Sequence, residues 1–507
     1  MHRDIEYDEI KRMNVRESYL HVFYGEALTL MKLVLRRIAY ELKKPLRALL
    51  EWNYFIGRDP ENLPCRSIIF FPVIADSLFC GLAGILATKR KTEIKKDFFE
   101  ELCRLWDKIQ SNGFEKLLDC SIAVEGYLGG LRVLGSLEDH ILYLKKDETV
   151  GHTIFQEKGS KELHVLLSEM NAFLAKEEKS IEKDADRFTS ASLEEINRHI
   201  LLFKDSVWAL QKDIIENIEQ VCSLAGEAES RNISRDIFSK YWKLNSLLNS
   251  IDRLEVRGRD SAGIQVITVL KDRKTLDRVI SGLKKGGLRD EFEDRTRPGD
   301  VRNNSIHVCG DVRKNYGLTV SFTYKKASVT GRLGENCRYL RDIIASDRIF
   351  KSFINEKSEM SVCFGHTRWA SVGAINEENC HPVNNFTLNS TVGIISGIPS
   401  EIKDYPYYGK GAWSITAALN GDIDNYKVLR SRLESDGSDL IDFKINTDTK
   451  IIPIQIEKYL YAGHDLKEAF RLALNDFEGS QAIALHSNLE PGKIFLSLRG
   501  SGQSLYV

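Results

Sequence analysis

This 507-residue chain has no Cys-x-x-Cys pair, no zinc-type ligand spacing and no uninterrupted apolar run of membrane-spanning length. Its nine cysteines are odd in number and scattered. Free thiols in a reducing compartment fit that pattern better than a disulfide framework, so the expected location is cytoplasmic. No metal and no other cofactor is expected, because histidines and cysteines nowhere recur at ligand spacing. The longest apolar stretch, Ser67–Ala87, is interrupted by Pro72 and Asp76, which predicts two short strands and no membrane span. The first ten residues, MHRDIEYDEI, are charged and lack the apolar centre of a secretion signal. A formal net charge of −1 excludes general attraction to nucleic acid or to an anionic membrane. No internal repeat is apparent.

The length predicts two or three domains. Leu28, Met31, Leu35, Ile38 and Leu42 recur at steps of three and four, which predicts a helix within 17–52 whose basic residues form a solvated face. Residues 68–75 and 79–87 are apolar and β-prone, and the second reads as a buried strand. From residue 95 to about 250 the pattern turns helical. Ser192-Leu-Glu-Glu195 has the form of a capping box. Behind it Leu193, Ile196, Ile200, Phe203, Val207, Leu210 and Ile214 form a heptad-like stripe, with further stripes at Leu163–Phe173 and Ile237–Ile251. These helices are expected to pack as a bundle, with a dimerising coiled coil as the alternative. Strands are predicted at 266–270, 318–322 and 494–498, and a mobile polar loop at Lys284–Asn304.

Five segments hold residues suited to chemistry: Cys80-Gly-Leu-Ala-Gly84, Arg257-Gly-Arg-Asp-Ser-Ala-Gly263, His366-Thr-Arg-Trp-Ala370, Asn420-Gly421 and Thr447-Asp-Thr449. Alone, each has an ordinary reading. A cysteine at a strand start is usually a small core residue, and Asn-Gly usually marks a tight turn. Jointly and in this order they resemble the glutaminase domain of glutamine–fructose-6-phosphate aminotransferase, a class II glutamine amidotransferase. That family opens on Cys-Gly-Ile-Val-Gly. Its Arg-Leu-Glu-Tyr-Arg-Gly-Tyr-Asp-Ser-Ala-Gly segment is matched by residues 253–263, except at Val256 and Arg259. Its histidine-proline is matched by His381-Pro382, and its Asn-Gly-x-x-x-Asn by residues 420–425.

The resemblance implies an α+β fold, the four-layer αββα sandwich of N-terminal-nucleophile hydrolases, carrying a large helical insertion. It implies hydrolysis of the glutamine side-chain amide through a thioester on Cys80. A thiolate is needed, and the ordinary thiol pKa lies near 8.5. In the family the nucleophile's own α-amine, which titrates near neutrality, is the base. Asn420 and Gly421 would stabilise the oxyanion, one such donor being worth about 3 kcal/mol. Arg368 would take the substrate carboxylate and Asp448 its ammonium group. Arg257, Gly258, Trp369, Ser371 and His381 complete the implied substrate-binding set. In the family, ammonia then aminates fructose 6-phosphate in a sugar isomerase domain or subunit, which is not recognisable here.

Three positions depart from the family: Val372 and Leu419 stand where it has histidine, and Lys450 where it has glutamate. Seventy-nine residues precede Cys80. The expected organisation is an N-terminal extension or propeptide over 1–79, an amidotransferase domain formed by 80–94 and 245–507, and a helical insertion over 95–244. Cleavage between Phe79 and Cys80 would expose the α-amine. The alternative is a catalytically inactive scaffold or regulatory module that binds a protein partner, or a second copy, through 95–244.

Overall fold

The computed structural model describes residues 69–75, 81–86, 98–145, 148–296, 303–309, 318–328, 331–356, 358–386, 414–435, 444–500 and 503–505. Cys80, the helix expected within 17–52 and most of the 386–410 stretch lie outside them.

Two antiparallel sheets form the centre. Strands β1 (Ile69–Ala75), β2 (Gly81–Leu86), β3 (Ser261–Leu270), β4 (Ser305–Cys309), β5 (Leu318–Ala327) and β6 (Ser358–Arg368) join the last strand, β11 (Gln503–Leu505), in the order β11-β1-β2-β6-β3-β5-β4. Strands β7 (Val383–Asn384), β8 (Ile415–Gly421), β9 (Gln481–Ser487) and β10 (Phe495–Arg499) make the second sheet, in the order β10-β9-β8-β7. The sheets meet through a small apolar cluster of Leu82, Ile267, Val362, Phe364, Ala418, Ala482 and Ala484. The alanines let the layers approach closely at this end of the sandwich.

Between β2 and β3 the chain is helical: α1 (Phe98–Gln110), α2 (Phe114–Leu118), α3 (Gly130–Lys145), α4 (Glu148–Asp184), α5 (Ser190–Ala209), α6 (Glu216–Ala225) and α7 (Arg235–Leu254). Then come α8 (Arg273–Lys285), α9 (Arg289–Arg295), α10 (Glu335–Ser346), α11 (Arg348–Ile354), α12 (Tyr426–Ser435), α13 (Ile451–Tyr461) and α14 (Leu466–Asp476). Helix α7 lies on β2 and β6, and α10 on β3 and β5. On the other side, α13 and α14 pack Ile452, Ile456 and Phe470 against Leu419, Ile483 and Leu485. The layers therefore run helix, sheet, sheet, helix: the αββα sandwich implied by the resemblance. Buried on both faces, β3 reads SAGIQVITVL without alternation.

The stripe along α5 is buried inside the chain's own bundle, where Phe203 stacks on Trp106 and meets Phe173 edge-on. A π-helical stretch over Leu210–Ile215 interrupts its rhythm. Two sequence expectations change. The cap of α5 is Thr189, whose Oγ1 accepts from Ser192 N at 3.2 Å, so Ser192 belongs to the first turn. The stretch expected as a loop from Lys284 holds the end of α8 and all of α9. Leu283 and Phe292 are buried on their inner faces, and Arg295 ends α9 in a two-pronged bond to Asp347. That stretch is polar because its solvent faces are. Among the described residues no helix is long and apolar enough to cross a membrane.

Candidate active site

The β2–β6–β3 rungs set the first half of the site. Gly81 pairs with Thr367 in β6, and Ser261 in β3 pairs with Arg368. Gly81 N donates to Thr367 Oγ1 at 3.2 Å, and that hydroxyl donates to Leu254 O, the end of α7, at 3.3 Å. The backbone just after position 80 is thereby tied to both the neighbouring strand and the covering helix. Cys80 itself lies outside the described residues.

Arg368 is buried at the end of β6. Its guanidinium donates to Ala374 O at 3.0 Å and to Val372 O, so the loop that follows curls around it. Gly258 lies against the Arg368–Trp369 backbone: a Cβ there would stand 2.7 Å from Arg368 C and 2.8 Å from Trp369 N. Only glycine permits that approach. Arg257 is half-buried in the preceding turn, its N–H donating to Leu254 O. Trp369 is 44% exposed and Ser371 exposed. Ala370 N donates to Asp260 Oδ2 at 2.9 Å and Ser371 Oγ to Asp422 Oδ1 at 2.6 Å, which pins the loop at two carboxylates.

The second half comes from β8 and the loop before α13. Asn420 shares its strand face with Ala418, an inter-sheet core residue, so it points toward the larger sheet. It is fully buried, yet among the described residues neither amide atom has a hydrogen-bond partner. Gly421 then turns the chain at φ +115°, a conformation L side chains avoid. Asp448 is buried, its Oδ2 accepting from Ile423 N and its Oδ1 from Thr449 N, both at 2.8 Å. Burial, assisted by the nearby Asp422 carboxylate, pushes its pKa up to about 6.

His381 braces these two segments. Its Nδ1 donates to Leu419 O at 3.1 Å, and its Nε2 accepts from Thr449 Oγ1 at 2.8 Å, which assigns a neutral tautomer. Burial, with the charge on Arg368, holds it well below the usual histidine range. Its ring lies 4.5 Å from that of His366, which burial and Arg368 push down to about 3.

Of the residues nominated from sequence, Arg257, Gly258, Arg368, Trp369 and Ser371 thus form one group, and Asn420, Gly421, His381 and Asp448 another. The Ser371–Asp422 bond joins the two. Three contributors were not nominated. Asp260 was legible, since it lies in the quoted Arg-Gly-x-Asp-Ser motif. Thr367 was legible in the same way, within the quoted His-Thr-Arg-Trp-Ala motif, whereas Asp422 carried no signal, because it fills a variable motif position. The departures prove structurally absorbed. Val372 contributes its carbonyl to Arg368, and Leu419 turns its side chain into the core beneath the helices. Lys450 is buried and donates to Asn384 O at 2.7 Å and Phe386 O at 2.5 Å. Among the described residues no group of three or more His, Cys, Asp or Glu could hold a metal ion.

No family model matches the chain. Over 161 residues it is 33% identical to a Methanosarcina mazei protein named glutamine–fructose-6-phosphate aminotransferase [isomerizing], covering 29% of this chain and 22% of that protein. Proteins of the same name from Sulfolobus acidocaldarius and Thermococcus kodakarensis are each 28% identical, over 43% and 46% of this chain and 27% and 28% of their own lengths. The chain thus spans less than a third of the curated relatives it matches. Among solved structures, the allosteric regulatory enzyme of purine biosynthesis matches with a TM-score of 0.22 at 20% identity, over 45% of this chain and 35% of that one. The glutamine phosphoribosylpyrophosphate amidotransferase of B. subtilis matches with a TM-score of 0.21 at 18% identity, with the same coverage. The chain resembles the glutamine–fructose-6-phosphate aminotransferases in sequence.

Proposed function

We propose that this chain is a glutamine amidotransferase that hydrolyses the side-chain amide of L-glutamine through a thioester on Cys80. The ammonia would serve the amination of fructose 6-phosphate to glucosamine 6-phosphate by a sugar isomerase domain or subunit. The observation that carries the reading is Asn420. A fully buried amide with both polar atoms unpartnered among the described residues is costly to keep, on the order of 1–3 kcal/mol. It is retained where a developing charge would use it. It stands beside the Gly421 turn, in the sheet that packs on β2 and β6. In this reading Arg368 orients the substrate carboxylate, Asp448 its ammonium group, and cleavage after Phe79 supplies the α-amine base.

N-terminal sequencing and intact mass, followed by ammonia release from glutamine on the same sample, test the reading. A chain beginning at Cys80 and releasing ammonia is expected. Asn420→Ala is expected to lower kcat about 10²–10³-fold while leaving the melting temperature equal or higher, since its side chain makes no hydrogen bond among the described residues. Wild-type activity that Asn420→Ala leaves intact would remove Asn420 from the mechanism.

The alternative reading is the inactive scaffold with a partner-binding helical segment. A chain beginning before Cys80, with no ammonia release, is its expected outcome.

A further inference from the structure

Asp422 occupies an open position of the Asn-Gly-x-x-x-Asn segment, and the structure places it at the junction of the site's two halves. Its backbone is fixed, its N–H donating to Ser480 O at 3.0 Å. The next residue, Ile423, donates its N–H to Asp448 Oδ2 at 2.8 Å, which sets the Asp448 carboxylate against the Asp422–Ile423 backbone, within reach of the Asp422 charge. Asp422 Oδ1 accepts from Ser371 Oγ at 2.6 Å, 51 residues away, on the loop that carries Trp369. We propose that Asp422 is a positioning and specificity residue: it holds the Arg368–Trp369 loop through Ser371 and presents, with Asp448, a paired negative field to a substrate α-ammonium group. The proposal rests on the glutaminase reading above.

The surroundings support this assignment. Lys450, the adjacent cation on the Asp448 loop, is turned away and bound to the Asn384 and Phe386 carbonyls. His381, on the other side of Thr449, is neutral. Arg368 is wrapped by the carbonyls of its own loop. The negative charge of Asp422 adds to burial in raising Asp448. A substrate ammonium would relieve that repulsion, whereas a substrate without it would leave the two like charges uncompensated. Such like-charge juxtaposition is a source of selectivity.

The test uses the full-length protein and compares glutamine with glutaramate, which lacks only the α-amino group. Asp422→Asn keeps an acceptor for Ser371 and removes the charge. Its KM for glutamine is expected to rise about tenfold, with kcat changed far less and glutaramate unaffected. In the same variant the acid limb of the glutamine KM profile is expected to move to lower pH, because Asp448 ionises more easily without its neighbour. A loss confined to fold would move neither the substrate ratio nor that limb. Asp422→Ala, which also frees Ser371, is expected to lower kcat as well. Calorimetry of glutamine on the Cys80→Ala protein reads binding without turnover. Unchanged discrimination in an active Asp422→Asn enzyme would overturn the role of Asp422 alone. A wild type that neither releases ammonia nor, as Cys80→Ala, binds glutamine would overturn the glutaminase reading and this proposal with it.

Discussion

Lys325 brings an amine to full burial in β5, opposite Gly263, and its Nζ makes no hydrogen bond among the described residues. Burial pushes the amine down to about 8, against some support from Cys380, Glu377 and Glu378. The unfolded chain holds the proton up to about pH 10.5, so between 8 and 10.5 it binds a proton that the fold rejects. Stability from this group is therefore present above about 10.5 and lost as pH falls toward 8. At about 1.4 kcal/mol per pH unit the loss is on the order of 3 kcal/mol. Lys325→Met is expected to raise stability at pH 7 by about 1–3 kcal/mol. It should also flatten the rise between pH 8 and 10.5 relative to wild type in urea titrations. A destabilised Lys325→Met protein would show that the ammonium has a partner that matters. Lys325 and Asn420 are two of the buried polar groups left unpartnered among the described residues, and packing alone explains neither.

At the scale of elements, the contact between α7 and β2 sets the geometry next to the nucleophile position. A Cβ on Gly81 would stand 2.7–2.9 Å from Leu254 Cβ, Cγ and Cδ2, well inside contact distance. Gly81→Ala is expected to cost about 1–3 kcal/mol by overpacking, and Leu254→Ala about 2–5 kcal/mol by leaving a void. The double variant should lose less than the two together, since the new methyl enters the space vacated. Additive losses in denaturant unfolding would show that Leu254 does not press on Gly81. Elements of this kind were largely legible in the sequence. Strand β3 and the end of β6 fall on quoted motifs, and α7 carries a clean apolar stripe. The α8–α9 segment was not legible, because its charged outer faces outnumber Leu283 and Phe292. Strand β5 was legible only as far as Phe322. Thr319, Ser321, Thr323 and Lys325 face the other sheet, where a polar alternation reads as solvent exposure. Here it is buried, with Gln265 bridging Thr323 and Thr416 between the sheets. Of the site, the residues with unusual identities were readable, while the bonds that join them, Ser371 to Asp422 and Thr367 to Gly81, depend on register and were not.

At the scale of the whole molecule, β1 changes what removal of the first 79 residues would mean. That segment was set apart on sequence as an extension, yet residues 69–75 lie between β11 and β2 in the larger sheet. Five residue pairs, from Ile69 with Leu86 to Val73 with Leu82, join β1 to β2, and three join it to β11. Taking β1 away would uncover one edge of β2 and one of β11, each a row of unpaired backbone groups. A strand held on both sides does not leave merely because the chain is cut beside it. Cleavage between β1 and β2 is therefore expected to give a nicked protein of two associated pieces, with the strand staying in place. A site-specific protease sequence inserted after Ser77 makes the cut at will, whether or not natural processing occurs. The pieces should co-elute on size exclusion in native buffer and separate in urea, and the nicked protein should keep one unfolding transition. Release of the N-terminal piece in native buffer, with the remainder still folding cooperatively, would show that β1 is dispensable. The sheet would then have to be redrawn with β2 at an edge.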